Sequence, residues 1–216
     1  MEKYQKDLIN SALQYGALKF GSFKLKSGRI SPYFFNAGMF YHGSSLSKLA
    51  DCYASKIIDL DIDFDMLFGP AYKGIGLVNI TSLALSRNHN FDIPFAYNRK
   101  EKKDHGEGGL SVGSPISGKV LIIDDVITAG TAIKQSVKLI KSCGAEPVGV
   151  LVALDREEIA NNKNTSAVKE IEKDLNLKVR SIITLTDLIQ HVESNIELER
   201  FSSKIIDYKD KYGIGN

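Results

Sequence analysis

At 216 residues, 43% of them hydrophobic, the chain is long enough to bury one substantial core and is expected to form one domain with small appendages. Its 28 basic and 26 acidic side chains leave a formal charge of +2, too balanced for a protein whose main work is gripping a nucleic-acid backbone. Cys52 and Cys143 stand far apart without metal-ligand spacing, no disulfide framework is implied, and neither the charged "MEKYQKDLINSALQYG" nor any later segment has the apolar run of a signal peptide or membrane span, so a reduced, cytoplasmic chain is expected.

The first forty residues differ in pattern from the remainder of the chain. "FGSFKLKSGRISPYFFNAG" has short alternating segments on either side of Ser27 and Gly28, the pattern of a hairpin subdomain. Leu46, Leu49, Ala50, Tyr53, Ile57 and Leu60 then recur at helical spacing in "SSLSKLADCYASKIIDL", with the serines just before as N-caps. "DMLFGP" reads as a buried strand, "GIGLVNITSLALSRN" as a helix and "IPFAYN" as another strand. "RKEKKDHGEGGLSVGSP", residues 99 to 115, is a long polar, glycine-rich connection of the kind that is functional or mobile in compact domains. "VLIID" is the next strand. "TAIKQSVKLIKSCG" comes after it as a helix, with Ile133, Val137 and Ile140 on one face and Gly144 as its C-cap, and "PVGVLVAL" as a further strand. The helical "SAVKEIEKDLNL" and the strand "KVRSIITL" add one more unit. Apolar strands alternating with amphipathic helices imply an α/β class: a parallel twisted sheet covered on both faces.

In doubly wound sheets ligands bind beyond the carboxyl ends of the strands, where Asp124 and Asp125 stand. The "VITAGTA" just after them offers backbone N–H groups, two hydroxyls and a glycine at the start of a helix, a combination that can wrap a phosphate. Two carboxylates beside such a nest would repel a bare anion, and they make sense for a ligand that also presents hydroxyls or carries Mg²⁺. A ribose 5-phosphate meets both demands. The glycine-lysine signature of a P-loop kinase or GTPase is absent, "GIGLVN" departs from the dinucleotide fingerprint at Asn79, and no zinc-protease or serine-hydrolase motif occurs.

Hydrophobic run, acidic pair and "VITAGTA" together resemble the phosphoribosyl-diphosphate (PRPP) signature of the type I phosphoribosyltransferases. Four more segments, "LKSGRISPYFFNAG", "GPAYKGI", "NRKEKKDHGEGG" and "ALDRE", are similar to the bacterial orotate phosphoribosyltransferase family, and the resemblance spans nearly the whole chain. It implies the type I phosphoribosyltransferase fold over residues 1–216, with a small hood built mainly from about residues 1–40 with C-terminal elements, and a long flexible loop. The implied reaction joins orotate to PRPP with Mg²⁺ as cofactor, releasing diphosphate and forming orotidine 5-monophosphate in pyrimidine synthesis.

Carried over residue by residue, the resemblance gives Asp124 and Asp125 the ribose hydroxyls, with either acid a water-mediated contact for Mg²⁺. Val126, Ile127, Thr128, Ala129, Gly130, Thr131 and Ala132 enclose the 5-phosphate. Tyr72 and Lys73 form the diphosphate turn; Lys26, Phe34, Phe35, Thr128 and Arg156 meet orotate, and Lys26 also serves PRPP. Arg99, Lys100, Lys103 and His105 sit on the long loop and bring cations to PRPP. Lys103 and His105 join the acidic pair as catalytic residues, and Arg99, Lys103 and His105 serve the neighbouring subunit of a homodimer. The resemblance leads to an expectation of proline at the position of Gly76, and glycine there should loosen the start of its helix without removing a ligand. The residues by themselves also allow a phosphoribosyltransferase for another base such as a purine, or a PRPP-sensing regulator that binds nucleic acid. The base-side segments favour orotate over a purine, and the balanced charge and lack of an added DNA-binding module speak against the regulator. No nucleic-acid or membrane partner is expected.

Overall fold

The computed structural model describes residues 1–25, 27–103, 109–128, 130–160 and 165–214, without the side chains of 100–103. In chain order the elements are α1 (Lys3–Gln14), β1 (Leu18–Lys24), β2 (Ile30–Phe35), α2 (Gly43–Ile58), β3 (Met66–Gly69), α3 (Lys73–His89), β4 (Phe95–Lys103), β5 (Gly109–Gly113), β6 (Lys119–Val126), α4 (Thr131–Ser142), β7 (Glu146–Asp155), α5 (Ala167–Leu175), β8 (Lys178–Thr184), α6 (Leu185–Glu193) and α7 (Ser202–Tyr212). The six-stranded sheet runs β5-β4-β3-β6-β7-β8. All its pairings are parallel except the antiparallel β4–β5 pair at one edge.

This order puts a switch point between β3 and β6, because the chain leaves β3 toward β4 on one side and returns to start β6 on the other. Two helix-strand layers cover the sheet. One apolar cluster joins α1, β1, β2, α2, α3, α6 and α7 to one face through residues such as Leu8, Tyr33, Tyr53, Leu121, Leu188 and Tyr208. A second packs Ile133, Val137 and Ile140 of α4 and Ile171 of α5 on the opposite face, against Phe68, Ile122 and Val150. Strands β3, β6 and β7 are buried on both faces, which explains their unbroken apolar sequence.

The hairpin is present: β1 and β2 pair antiparallel, and the turn is closed by Gly28 N donating to the Leu25 carbonyl (2.9 Å), with Gly28 at φ +83°. Helix α4 ends as expected. Gly144 takes φ +78° and donates to the Lys141 carbonyl, while Ala145 N reaches the Ile140 carbonyl, the paired bonds of a Schellman motif.

Three expectations need correction. Helix α2 begins at Gly43 rather than after the serines; Ser45 lies inside its first turn and its hydroxyl accepts from His42 N at 3.2 Å, so it caps from within. The connection expected over residues 99–115 is largely sheet, since 99–103 continue β4 and 109–113 form β5. Backbone pairing at an edge does not require apolar side chains, and lysines are suited to an edge exposed to water. Charge there hides the strand. Gly113, at φ +103°, closes that edge: a Cβ would lie 2.4 Å from the Phe95 carbonyl oxygen. The helices α1, α6 and α7 are additions to the expected elements. Among the described residues no helix is long and apolar enough to cross a membrane.

Candidate active site

Strand β6 runs apolar until Ile123 because both its faces are covered, and then delivers Asp124 and Asp125 at its carboxyl end, 8% and 6% exposed. Two buried neighbouring carboxylates are costly, and the structure divides the cost unequally. Asp125 Oδ2 pairs with Lys73 Nζ at 2.5 Å, across the switch point from the first residue of α3. Asp124 has a weaker share: its Oδ1 accepts from the Asp125 backbone N at 2.9 Å. Desolvation, then repulsion from Asp125, push the Asp124 carboxyl up to about 7, with the Asp125 N–H and the Lys73 charge acting the other way. The Asp124 carbonyl is fixed in turn by the hydroxyl of buried Tyr53 on α2, 2.7 Å away.

The turn after β3 is equally constrained. Its glycines are required by close approach: a Cβ on Gly69 would lie 2.1 Å from the Gly74 carbonyl oxygen, and one on Gly74 would lie 2.6 Å from Pro70 Cδ. The peptide between Ala71 and Tyr72 is cis. Pro70 has no N–H and the β3 ladder has ended, so Ala71 N donates to a side chain instead, Asn98 Oδ1 on β4 (2.8 Å). Tyr72 is 69% exposed and Lys73 reaches back to Asp125.

After Asp125 the chain leaves the sheet through Val126, buried Ile127 and exposed Thr128 to Gly130. Gly130 adopts φ +68° as the residue before α4, and a Cβ there would meet Ile171 Cδ1 at 2.4 Å. Thr131 and Ala132 open α4, whose first N–H groups and dipole favour an anion.

On the base side, strand alternation separates the two phenylalanines. Phe35 is buried in the core, while Phe34 is 40% exposed and stacks on Phe23 (centroids 5.6 Å), so of the pair only Phe34 presents a ring to a ligand. The Phe35 side chain packs in the core, which leaves its backbone as the part of the residue that could meet a base. Arg156, at the end of β7, lies over the Tyr33 ring (4.5 Å) and donates to Glu158 and Ser31. The expected contacts Lys26, Ala129 and His105 lie outside the described residues, and of Lys100 and Lys103 only the backbone is described. Arg99 is on β4, one residue past Asn98. A groove of about 710 Å³ between the hairpin and α7 is lined by Arg29, Phe201, Lys204 and Tyr212 among others, and by none of the strand-end residues.

Tyr53, Asn98 and Glu158 escape sequence reasoning as functional candidates. Tyr53 reads as an apolar helix position, although a buried tyrosine hydroxyl needs a partner. Asn98 carries no local signal beyond standing next to Arg99.

A doubly wound sheet with an acidic pair at the switch point, followed by a glycine-broken nest at a helix start, defines a transferase of the phosphoribosyltransferase class. The family model described as phosphoribosyl transferase domain matches residues 36–182. Over 214 residues the chain is 51% identical to an orotate phosphoribosyltransferase of Marinobacter nauticus and 49% to one of Yersinia enterocolitica, covering 99% of this chain and all of each relative. The crystal structure of an orotate phosphoribosyltransferase from Francisella tularensis superposes with a TM-score of 0.86 at 45% identity, covering 95% of this chain and 98% of that one. The chain belongs to the orotate phosphoribosyltransferase family, a family of glycosyltransferases.

Proposed function

We propose that the protein transfers the phosphoribosyl group of PRPP to orotate, with Mg²⁺, giving orotidine 5-monophosphate and diphosphate. The observation that carries this reading is the Lys73–Asp125 pair, which ties the turn after β3 to the loop after β6 and sets cation, carboxylates and phosphate nest side by side. The loop of residues 126–132 and the start of α4 hold the 5-phosphate, and Asp124 and Asp125 accept hydrogen bonds from the ribose hydroxyls. Lys73 can turn from Asp125 to the diphosphate, where negative charge grows as the bond to ribose C1 breaks. Phe34, Arg156 and Lys26 orient the base.

The acidic pair suits Mg²⁺, a hard cation commonly held by one or two carboxylates plus substrate phosphates; when bound it supplies charge neutralisation at the departing diphosphate. The ion is held mainly through the substrate, with Asp124 or Asp125 meeting it through water. Arg99, Lys100, Lys103 and His105 bring cations to PRPP and its departing diphosphate. The active form is a homodimer in which Arg99, Lys103 and His105 serve the neighbouring site, located in the cytoplasm. If the loop is shared, mixing an Asp124→Ala/Asp125→Ala chain with a Lys103→Ala chain restores part of the activity; none returning counts against sharing.

The direct test follows orotate by its ultraviolet absorbance with PRPP and Mg²⁺, and diphosphate release with adenine, hypoxanthine and uracil in parallel. Mg²⁺-dependent loss of orotate alone is the expected result. Turnover of a purine would keep the PRPP site and discard the base-side roles, and PRPP binding without turnover of any base would favour a regulator.

A further inference from the structure

The loop after β7 carries Arg156 and Glu158 two residues apart, and four independent contacts hold that loop. Glu157 sits at φ +51°, its N–H donating to Asp155 Oδ1 (2.9 Å). Its side chain accepts from Thr186 N at the start of α6 (2.9 Å). Ile214 N donates to the Glu157 carbonyl and Ile159 N to the Tyr212 carbonyl, so the segment after α7 is laced to the loop by backbone. Such anchoring leaves Arg156 and Glu158 little freedom in relative position.

Within that frame Glu158 is shared. Its Oε1 accepts from Arg156 Nε (2.8 Å) and pairs with Arg156 Nη2 (2.6 Å), while Oε2 faces Arg29 Nη1 at 3.7 Å. Ser31 Oγ takes a further bond from Arg156 Nη2 (3.2 Å) and is itself tied to the Tyr33 carbonyl (2.7 Å). The Tyr33 ring covers one face of the guanidinium. A guanidinium has five N–H donors in a rigid fork. Nε and Nη2 are committed to Glu158 and Ser31, and the Tyr208 hydroxyl lies beside both Arg156 and Glu158, so the direction of Nη1 is set by the bonds its neighbours make.

We propose that Glu158 is a specificity-determining positioning residue: by locking the Nε and Nη2 edge of Arg156, Glu158 fixes the direction in which Nη1 donates to an acceptor atom of a planar heterocyclic base. This rests on the reading of Arg156 as a base-side residue. Without Glu158 the arginine keeps its charge but loses its direction, so binding of base weakens while binding of PRPP, at the other strand end, does not.

The test is steady-state kinetics of Arg156→Ala, Glu158→Ala and Glu158→Gln, with KM for orotate and for PRPP and kcat measured for each and folding checked by thermal melting. Glu158→Ala should raise the orotate KM about tenfold, a loss on the scale of one charge-assisted hydrogen bond, with the PRPP KM unchanged. Glu158→Gln, which retains an acceptor of the same reach, should recover part of that loss. An orotate KM that rises in Arg156→Ala but stays at the wild-type value in both Glu158 variants overturns the proposal. An orotate KM unmoved in Arg156→Ala overturns the base-side reading itself and with it this role. Should Glu158→Ala fail to fold, because breaking a half-buried pair leaves a charge uncompensated, Glu158→Gln decides: a raised orotate KM with unchanged PRPP KM supports the proposal, and wild-type constants overturn it.

Discussion

Two ionic constellations, one on buried carboxylates and one half-buried, lie at the carboxyl ends of neighbouring strands, and they are built on opposite principles. At the end of β6, Asp125 has its lysine, but Asp124 has one backbone N–H and a like-charged neighbour. At the end of β7, Arg156 is flanked by a carboxylate, a hydroxyl and an aromatic face, and its partners are themselves held. The first is electrostatically incomplete and improves when a cation or hydroxyl-bearing ligand arrives. The second is finished before any ligand comes, so binding costs it little reorganisation. A site that must bind a highly charged donor and a flat acceptor can combine the two, one end tuned for charge and the other for direction.

The largest expected effect breaks the first constellation. Lys73→Ala removes the cation that can face the diphosphate and should lower kcat by about a hundredfold, the scale for losing a group that meets developing charge. Because the loss leaves buried Asp125 without its cation, the melting temperature should fall as well, and kcat is compared on folded protein. A variant with near-normal kcat would mean that other cations carry the leaving group.

A middle-sized effect sharpens the contrast through pH. The Asp124 carboxyl is raised from an ordinary value of about 3.9 to about 7, so between those values the folded chain binds more protons than the unfolded chain. Stability of the ligand-free protein should therefore decline as pH rises from about 4 to about 7, contributed by this group, and level off above. Asp124→Asn should flatten that part of the melting-temperature profile. PRPP with Mg²⁺ should bind more tightly as pH rises through about 7, and the asparagine variant should lose the Asp124 part of that slope and keep the part set by the phosphates of PRPP. Glu158→Gln, at the finished end, should leave both slopes in place.

The smallest effect concerns the helix that carries Lys73. Gly76 is exposed, lies within α3 and has nothing within 4 Å of where a Cβ would stand, so Gly76→Ala should stabilise by about 0.5–1 kcal/mol through helix propensity, raising the melting temperature by about 1–4 °C. Activity should hold. A fall in kcat would show that the incomplete end also needs a loose helix start.

Much of this molecule is legible locally. The acidic pair, the nest after it and the hairpin around Gly28 are contiguous, and their roles depend on backbone shapes set by neighbouring residues. Asn98, Tyr53 and Glu158 are legible only in three dimensions. Their partners lie 27 residues away at Ala71 N and 71 away at the Asp124 carbonyl, or, for Glu158, depend on a turn pinned by the C-terminal segment. Strand β5 escapes for another reason: an edge strand in water needs pairing rather than an apolar face, so its polar, glycine-rich surroundings look like loop.

The sequence alone determined the alternation of strands and helices, because periodicity reports which faces are buried, and it marked the candidate phosphate nest, because such a nest is made by local backbone. Tertiary structure decided which loops meet. The strand order β4-β3-β6-β7 brings Lys73 to Asp125 and anchors the turn before it on Asn98, and the packing of the hairpin and C-terminal segment on β7 aligns Arg156 with Glu158 and Ser31. Such pairings leave no periodic trace in the chain, since they arise from where strands are laid in the sheet and not from the residues beside them.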